Sequence, residues 1–528
     1  MAGRLQSILQ LDFSGGENTV TSPYLIGQKQ SQQCNNFILD EHGSLRVRDG
    51  TLIQGAAGSP LSAKPIVKIY DFVKVDGTIK QLAIVYQSGS ANTLYDRSTN
   101  PWTAIWNYTT AEPIPDMATF GNHVLTAAGY ETITRYDGTS QSSAIGAPQA
   151  KHIAVHLGYQ CGWNTAATTA TSAGPSSLSA SDVNNFNSWP AASQTFIAKD
   201  DGQSGKGIGL YTIAETGISP TATLIAFKDF SAYEVVGNFG SSNFAVQKLK
   251  SDMGCVAPRT IQFVSGFGII LLTHKGFALF DGVNDTLISE EIRPRLFGRD
   301  AFTAIRWTDV ASSYATQVQN PPLYVCFCPV VDTSLTRAFI YDLVRKAWTT
   351  CTFANAISCI QLITNPNTLP TVLGGDYSAN KVRRYFAGDT DDDGTAVSWT
   401  WLTRPVFNKS PMSRAYFRRA IVKAYGLTLP STVTASFNIG PTAIVNAKSL
   451  TLQSAFESFA GYGADAWGPP GYGSQGNSQN VTDIDFNLDI GVIGNNCYLT
   501  LNGTGAGRLR GIEWHYRPKS LTRSTIAA

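Results

Sequence analysis

At 528 residues the chain exceeds what one growing hydrophobic core can organise, so several domains or one repeated architecture is required. Charged residues are only 15% against the ~25% usual for soluble domains, while 43% are hydrophobic, 11% aromatic and 48 are Gly, which leaves little charged surface for solvation and indicates all-β structure with much surface given to other protein. A net charge of +2 excludes global steering of nucleic acid.

The first 52 residues are turn-rich. Gly15-Gly16 and Ser22-Pro23 break the chain, a Gln/Asn-rich tract covers 28–36, and a small hairpin follows with Phe37, Leu39, Leu45 and Val47 at alternating positions. The N-terminus lacks an apolar signal region, and no run approaches the ~18 apolar residues of a membrane helix, so folding in the cytoplasm without membrane insertion is expected.

From about Ile66 short apolar runs alternate with turns. Residues 260–296 are the clearest case: four runs punctuated by Gly266, Gly276 and Gly282 predict one four-stranded antiparallel meander, with Asp281 as a turn cap. Similar units end at Tyr95-Asp96, Tyr136-Asp137 and Tyr341-Asp342, and Tyr95 and Tyr136 are 41 residues apart, within the ~40–45 period of a propeller blade. Tyr95-Asp96 with Trp102 echoes Tyr341-Asp342 with Trp348: Tyr points inward, Asp caps the turn, and Trp covers the same core from the next strand.

The run 389–394 imitates the start of an EF-hand loop but has Thr400 where a bidentate Glu is needed; it reads as a linker turn or a weak surface cation site. Beyond it, runs from Val397, Val433, Ile484, Cys497 and Ile512 alternate apolar and polar residues as sandwich strands do. The expected organisation is all-β: an N-terminal arm and hairpin over 1–60, a β-propeller of four-stranded antiparallel meanders over 61–390, and a C-terminal β-sandwich-like domain over 391–528 with a Gly/Tyr-rich loop at 461–478.

Charge is uneven along this plan. Residues 1–393 hold 28 Lys plus Arg against 32 Asp plus Glu, net −4, and residues 394–528 hold 12 against 6, net +6. Seven basic residues and no acid lie between Gly394 and Phe456, reading either as a solvated face or as a dock for an acidic neighbour. Arg404, Arg414, Arg418 and Arg419 from this tract, with Tyr462, Trp467 and Tyr472 from the loop, are the candidate assembly contacts. The loop itself reads as an adaptable contact surface or as plain disorder.

Catalytic and metal signatures are missing. The eight Cys form no Cys-x-x-Cys and read as reduced, buried thiols, with Cys326 and Cys328 on one strand face. His152 and His156 lie on one strand about 13 Å apart, too far for one zinc. The run 202–207 lacks the first Gly of a phosphate loop and has Gly207 where Ser or Thr is needed. Catalysis, cofactors and metals are therefore not expected, although paired carboxylates from distant strands would leave no spacing signature.

Several stretches together resemble a known family: Gly15-Gly16-x-Asn18; Asn36-Phe37 with Gly43, Leu45, Arg48 and Gly50; Gly254 to Pro258 with Gly276, Asp281 and Gly282; Tyr341-Asp342 with Trp348; Asp393-Gly394 with Thr403; and Arg508, Arg510, Ile512 and Tyr516. In their order along nearly the whole chain they are similar to tail nozzle, or tail tubular, proteins of short-tailed double-stranded DNA bacteriophages. That resemblance implies a structural virion protein assembled in the host bacterial cytoplasm, a homohexameric ring below the portal and adaptor (head-to-tail connector) protein, contacts with tail fibres, and phage DNA passing through the lumen without sequence-specific binding. A glycan-binding or glycan-degrading propeller of the tail and a tail-tip protein of a long-tailed phage are the alternatives.

Overall fold

The computed structural model describes the chain except residues 1–3, 41–42, 55–63, 88–90, 130, 144–145, 167–173, 214–220, 251, 283, 299–303, 332–335, 365, 367–368, 378–380, 412, 426–430, 440–442, 453–483 and 520–528. It falls into two compact units, one of residues 52–338 and 353–387, the other of residues 1–51, 339–352 and 388–528.

The larger unit is a β-propeller. Its first five sheets are consecutive four-stranded antiparallel meanders, beginning with Ile66–Val73, Asp116–Phe120, Gln149–His156, Gly205–Ile213 and Gln262–Val264. A sixth begins with Tyr314–Val318 and Leu323–Pro329, and a seventh runs Ile357–Ile363, Thr371–Asp376 and Val382–Tyr385. The first strands pack side by side in sequence, and Ile357–Ile363 returns to Ile66–Val73, so seven inner strands close a ring. The seventh sheet takes its outermost strand from the other end of the chain, Thr51–Ile53, and the Gln54 N–H donates to the Val382 carbonyl at 2.8 Å. This closure pairs a strand edge that would otherwise be free.

Strand alternation explains why the blades need one another. In Ile79–Val85, Leu82 and Ile84 join a cluster with Met117, Val124 and Tyr136 of the second blade. Ala83 and Val85 point the other way and pack with Cys359, Leu373 and Val382 of the seventh. Both faces are apolar, and each is dry only when a neighbour stands on it. Close approach between blades requires glycine: a Cβ on Gly205 would lie 2.4 Å from the Trp163 ring, and one on Gly207 2.5 Å from Ile261. Gly205 and Gly207 of the run that imitates a phosphate loop are thus packing residues, and Lys206 forms an ion pair with Asp229 at 3.2 Å.

The predicted meander over 260–296 is present as Gln262–Val264, Gly268–Thr273, Gly276–Phe280 and Asp285–Leu287, with Asp281 Oδ1 accepting the Asn284 N–H at 2.7 Å. The Tyr–Asp–Trp echo has the expected physics in both copies. Asp96 accepts the Ser98 N–H, Asp342 accepts those of Val344 and Arg345, and the ring pairs Tyr95–Trp102 and Tyr341–Trp348 lie 6.3 and 4.8 Å apart. All eight cysteines are free and buried, with the Cys326 and Cys328 sulfurs 3.7 Å apart on one strand.

The smaller unit is a β-sandwich. One sheet orders Phe37–Leu39, Leu45–Val47, Arg508–Pro518, Ala415–Tyr425 and Ile484–Gly494, with Gln6–Gln10 also on Arg508–Pro518. The other runs Ala347–Thr352, Gln33–Asn35, Ser398–Leu402, Asn496–Thr504, Ser431–Ile439 and Ala443–Leu452. Between them lie Phe13, Phe37, Trp399, Trp401, Phe417, Phe437 and Trp514, each fully or nearly fully buried and each stabilising by about 1.5–3 kcal/mol through burial. The N-terminal segment expected as a separate arm over 1–60 lies within this sandwich up to residue 51. Residues 339–352, expected inside the propeller, belong here too. The physical reason is long-range pairing: Asn35 pairs with Thr350 in parallel and with Thr400 antiparallel.

Candidate functional site

Gly16, Asn36, Arg48, Gly50, Thr403 and Tyr516 are dispersed in sequence, and each is fixed by contacts within the smaller unit. Gly16 has φ +63, and a Cβ on it would stand 2.5 Å from the Trp348 carbonyl oxygen, which accepts the Glu17 N–H at 2.8 Å. Asn36 Nδ2 donates to the Ser398 carbonyl at 2.6 Å and to Thr352 Oγ1 at 3.1 Å. Arg48 grips Asp392 with two hydrogen bonds and donates to the Thr352 carbonyl at 2.7 Å. The Gly50 N–H donates to the Asp389 carbonyl at 2.6 Å, Thr403 Oγ1 accepts the Leu499 N–H at 3.0 Å, and the Tyr516 hydroxyl bonds Gln6 at 2.9 Å. Two of the four aspartates of the EF-hand-like run are engaged in this way: Asp392 holds Arg48, and Asp391 accepts the Gly394 N–H at 2.6 Å. No cluster able to hold a metal occurs among the described residues.

The basic tract becomes a strand. In Ala415–Tyr425, Ala415, Phe417, Ala420 and Val422 point into the sandwich core. Against Arg508–Pro518 the register shifts between Phe417 and Arg419 so that Arg418 is the extra residue of a β-bulge, while against Ile484–Gly494 the shift is opposite, with Ile490 and Gly491 facing Arg418 alone. Two consecutive arginines thus stand between inward-facing Phe417 and Ala420, Arg418 exposed and Arg419 half-buried. Arg419 pairs in register with His515 on one side and Asp489 on the other, while Tyr416 pairs with Arg517 and with exposed Ile493. The outward face therefore combines Arg418, Arg419 and Arg517 with a small apolar patch. Arg414 is exposed at the start of the strand; Arg404 is half-buried, and burial pushes its pKa down. Tyr462, Trp467 and Tyr472 lie outside the described residues.

In the propeller the inner strands and the turn Pro258–Thr260 line an open cavity of about 570 Å³ to which all seven blades contribute. Its charged lining residues are Lys68, Asp116 and Arg259. Lys68 lies 3.7 Å from Asp116, whose oxygens also accept the N–H groups of Met117 and Ile153 at 3.0 and 3.1 Å. Among the described residues Arg259 donates to two carbonyls, Val67 at 3.0 Å and Ser312 at 3.4 Å, and stands 5.6 Å over the Tyr314 ring. His152 is buried in the same wall, and desolvation pushes its pKa down to about 4, so it is neutral at physiological pH. None of these residues was a candidate from sequence. Three sit on different inner strands and Arg259 on the short turn Pro258–Thr260, 36 to 191 residues apart, and only ring closure brings them together.

No family model matches the chain, and no curated protein matches it. Among solved structures, it is similar to BBS1N in complex with ARL6DN at 8% identity and a TM-score of 0.40, covering 65% of this chain and 99% of that one. It is also similar to Sqt1 of Saccharomyces cerevisiae at 10% identity and a TM-score of 0.37, covering 70% and 97%. Superpositions this loose transfer no function, and the propeller assignment stands on the strand order and the ring of inner strands described above.

Proposed function

We propose that the chain is a structural, non-enzymatic virion protein of the phage tail-nozzle type, six copies of which form a ring below the portal and adaptor and pass DNA without sequence-specific binding. The observation that carries this reading is the convergence just described. Residues that carry the resemblance from Gly16 to Tyr516, hundreds of positions apart, each make contacts inside the one sandwich, with Gly16 against Trp348 and Arg48 bonded to Asn36 joining them directly.

The outward basic strand supports an assembly role. Arg418 and Arg419 lie on a bulge, which twists a strand and interrupts regular pairing, so they present charge to a partner subunit or adaptor at little cost to the sandwich. A glycan-degrading role would call for two carboxylates roughly 5–10 Å apart. Asp116 is the one carboxylate among the residues lining the propeller cavity, and it is engaged by Lys68.

Negative-stain micrographs of the purified chain and of virions test the proposal. Six-fold rings at the tail end are expected. Monomers that turn over host polysaccharide would sink it. Charge reversal at Arg418 and Arg419 together is expected to leave the circular dichroism of the monomer unchanged while abolishing rings; undiminished ring formation would remove the assembly role of this strand.

A further inference from the structure

The propeller cavity carries a charge that its own wall does not neutralise. Among the lining residues Lys68 and Asp116 offset one another, which leaves Arg259 and a net single positive charge. Its guanidinium carries five N–H donors in a fork suited to a carboxylate or phosphate. Two backbone carbonyls accept from Nη1 and Nη2, and Nε has no hydrogen-bond partner among the described residues. Asp116 and Glu112 act on it only through space, and Glu112 is itself turned to the Ile114 N–H at 3.1 Å. A half-buried guanidinium served only by neutral acceptors is short of a counter-ion.

The rest of the wall defines what the counter-ion is attached to. Ile69, Ile153, Val155, Leu210 and Ile261 supply the apolar part of the wall, and Gln262 and Gln361 are among the residues that supply its polar part. A space of about 570 Å³ lies within the roughly 300–1,000 Å³ of small-molecule sites, and its wall offers apolar surface and polar groups in about equal share. Neutral His152 adds no second cation, so the site is matched to one negative group.

We propose that the propeller cavity binds a small organic anion, a carboxylate or phosphate on an apolar body, with its charged group held by the Arg259 guanidinium. Double-stranded nucleic acid does not fit the volume, so this ligand is independent of any ring lumen, and the inference does not depend on the nozzle reading.

The test uses the full chain with phenyl phosphate and phenylacetate as probes, against sodium chloride at matched ionic strength. Each probe that binds raises the thermal midpoint in a saturable way that chloride does not reproduce. It also slows modification of Arg259 by phenylglyoxal, followed by peptide mass spectrometry, about tenfold at about ten times its Kd. The two probes distinguish a phosphate from a carboxylate source. Arg259→Gln, which keeps an amide donor for the Val67 carbonyl, abolishes the shift, and Arg259→Lys retains part of it. The absence of any shift and any protection, or an equal shift in folded Arg259→Gln, would overturn the proposal. Should Arg259→Gln fail to fold, the protection pattern on the unaltered chain decides.

Discussion

Arg48 and Asp392, 344 positions apart, form a buried bidentate ion pair, Nη2 to Oδ2 at 2.6 Å and Nη1 to Oδ1 at 2.9 Å. Both side chains are almost wholly inaccessible, at 2% and 5% exposure. Arg48 Nε and Nη2 also donate to Asn36 Oδ1 and the Thr352 carbonyl, so one guanidinium joins three separate stretches of the smaller unit.

Removing one partner of this pair strands a buried charge. Arg48→Met is therefore expected to destabilise the smaller unit by about 3–5 kcal/mol. Arg48→Met combined with Asp392→Leu should cost less than either change alone. Urea unfolding of the four chains of that cycle measures the coupling, and simple additivity would show that the pair does not act as a unit.

A second expectation concerns backbone proximity. A Cβ on Gly50 would lie 1.8 Å from the Asp391 carbonyl oxygen. Gly50→Ala must push the two strands apart, disturbing the Gly50–Asp389 bond with them. We expect a loss of more than about 2 kcal/mol, above the usual effect of a point change. Amide hydrogen exchange should show the loss first at 48–53 and 389–394.

The Tyr–Asp–Trp echo looks alike in sequence but is unequal in burial. Trp348 is fully buried, whereas Trp102 is only partly covered. Trp348→Ala should cost about 3–5 kcal/mol and Trp102→Ala distinctly less. Denaturant midpoints at unchanged m-value test this, and equal losses would contradict it.

His152 makes the propeller pH-sensitive in a defined direction. Its folded pKa, depressed by burial to about 4 from 6.5, means that the unfolded chain takes up a proton before the folded one does. Stability contributed by neutral His152 is thus complete above the unfolded value and is lost as pH falls from about 6.5 towards about 4, by up to about 3 kcal/mol. His152→Gln is expected to flatten that part of the stability profile between about pH 7 and about pH 5. An unchanged slope would mean that the histidine is solvated in the folded chain.

Burial also protects the thiols. Desolvation pushes Cys359 up to about 11 and Cys255 and Cys351 up to about 12. Because the thiolate is the nucleophile, iodoacetamide at mildly alkaline pH should leave all eight cysteines of the native chain essentially unmodified and label all eight after unfolding. Rapid labelling of Cys326 or Cys328 in native protein would show that the sixth blade opens locally.

What the sequence determined by itself was local. Meander strands, Asp-capped turns, inward Tyr and covering Trp are set by period-two alternation and by turn chemistry within ten or so residues, so the blade over 262–287 was legible strand by strand. The hairpin of Phe37, Leu39, Leu45 and Val47 was legible for the same reason. Tertiary structure alone decided four things. Thr51–Ile53 closes the seventh blade through backbone bonds, which leave no side-chain pattern. Arg48 finds Asp392 across the intervening chain, and the basic tract becomes a bulged strand because its apolar positions meet a core made elsewhere. The cavity at Arg259 exists only once seven inner strands stand in a ring, and no segment of the chain holds enough of it to announce it. Local periodicity reports which face of a strand is apolar; it does not report which distant surface will cover that face.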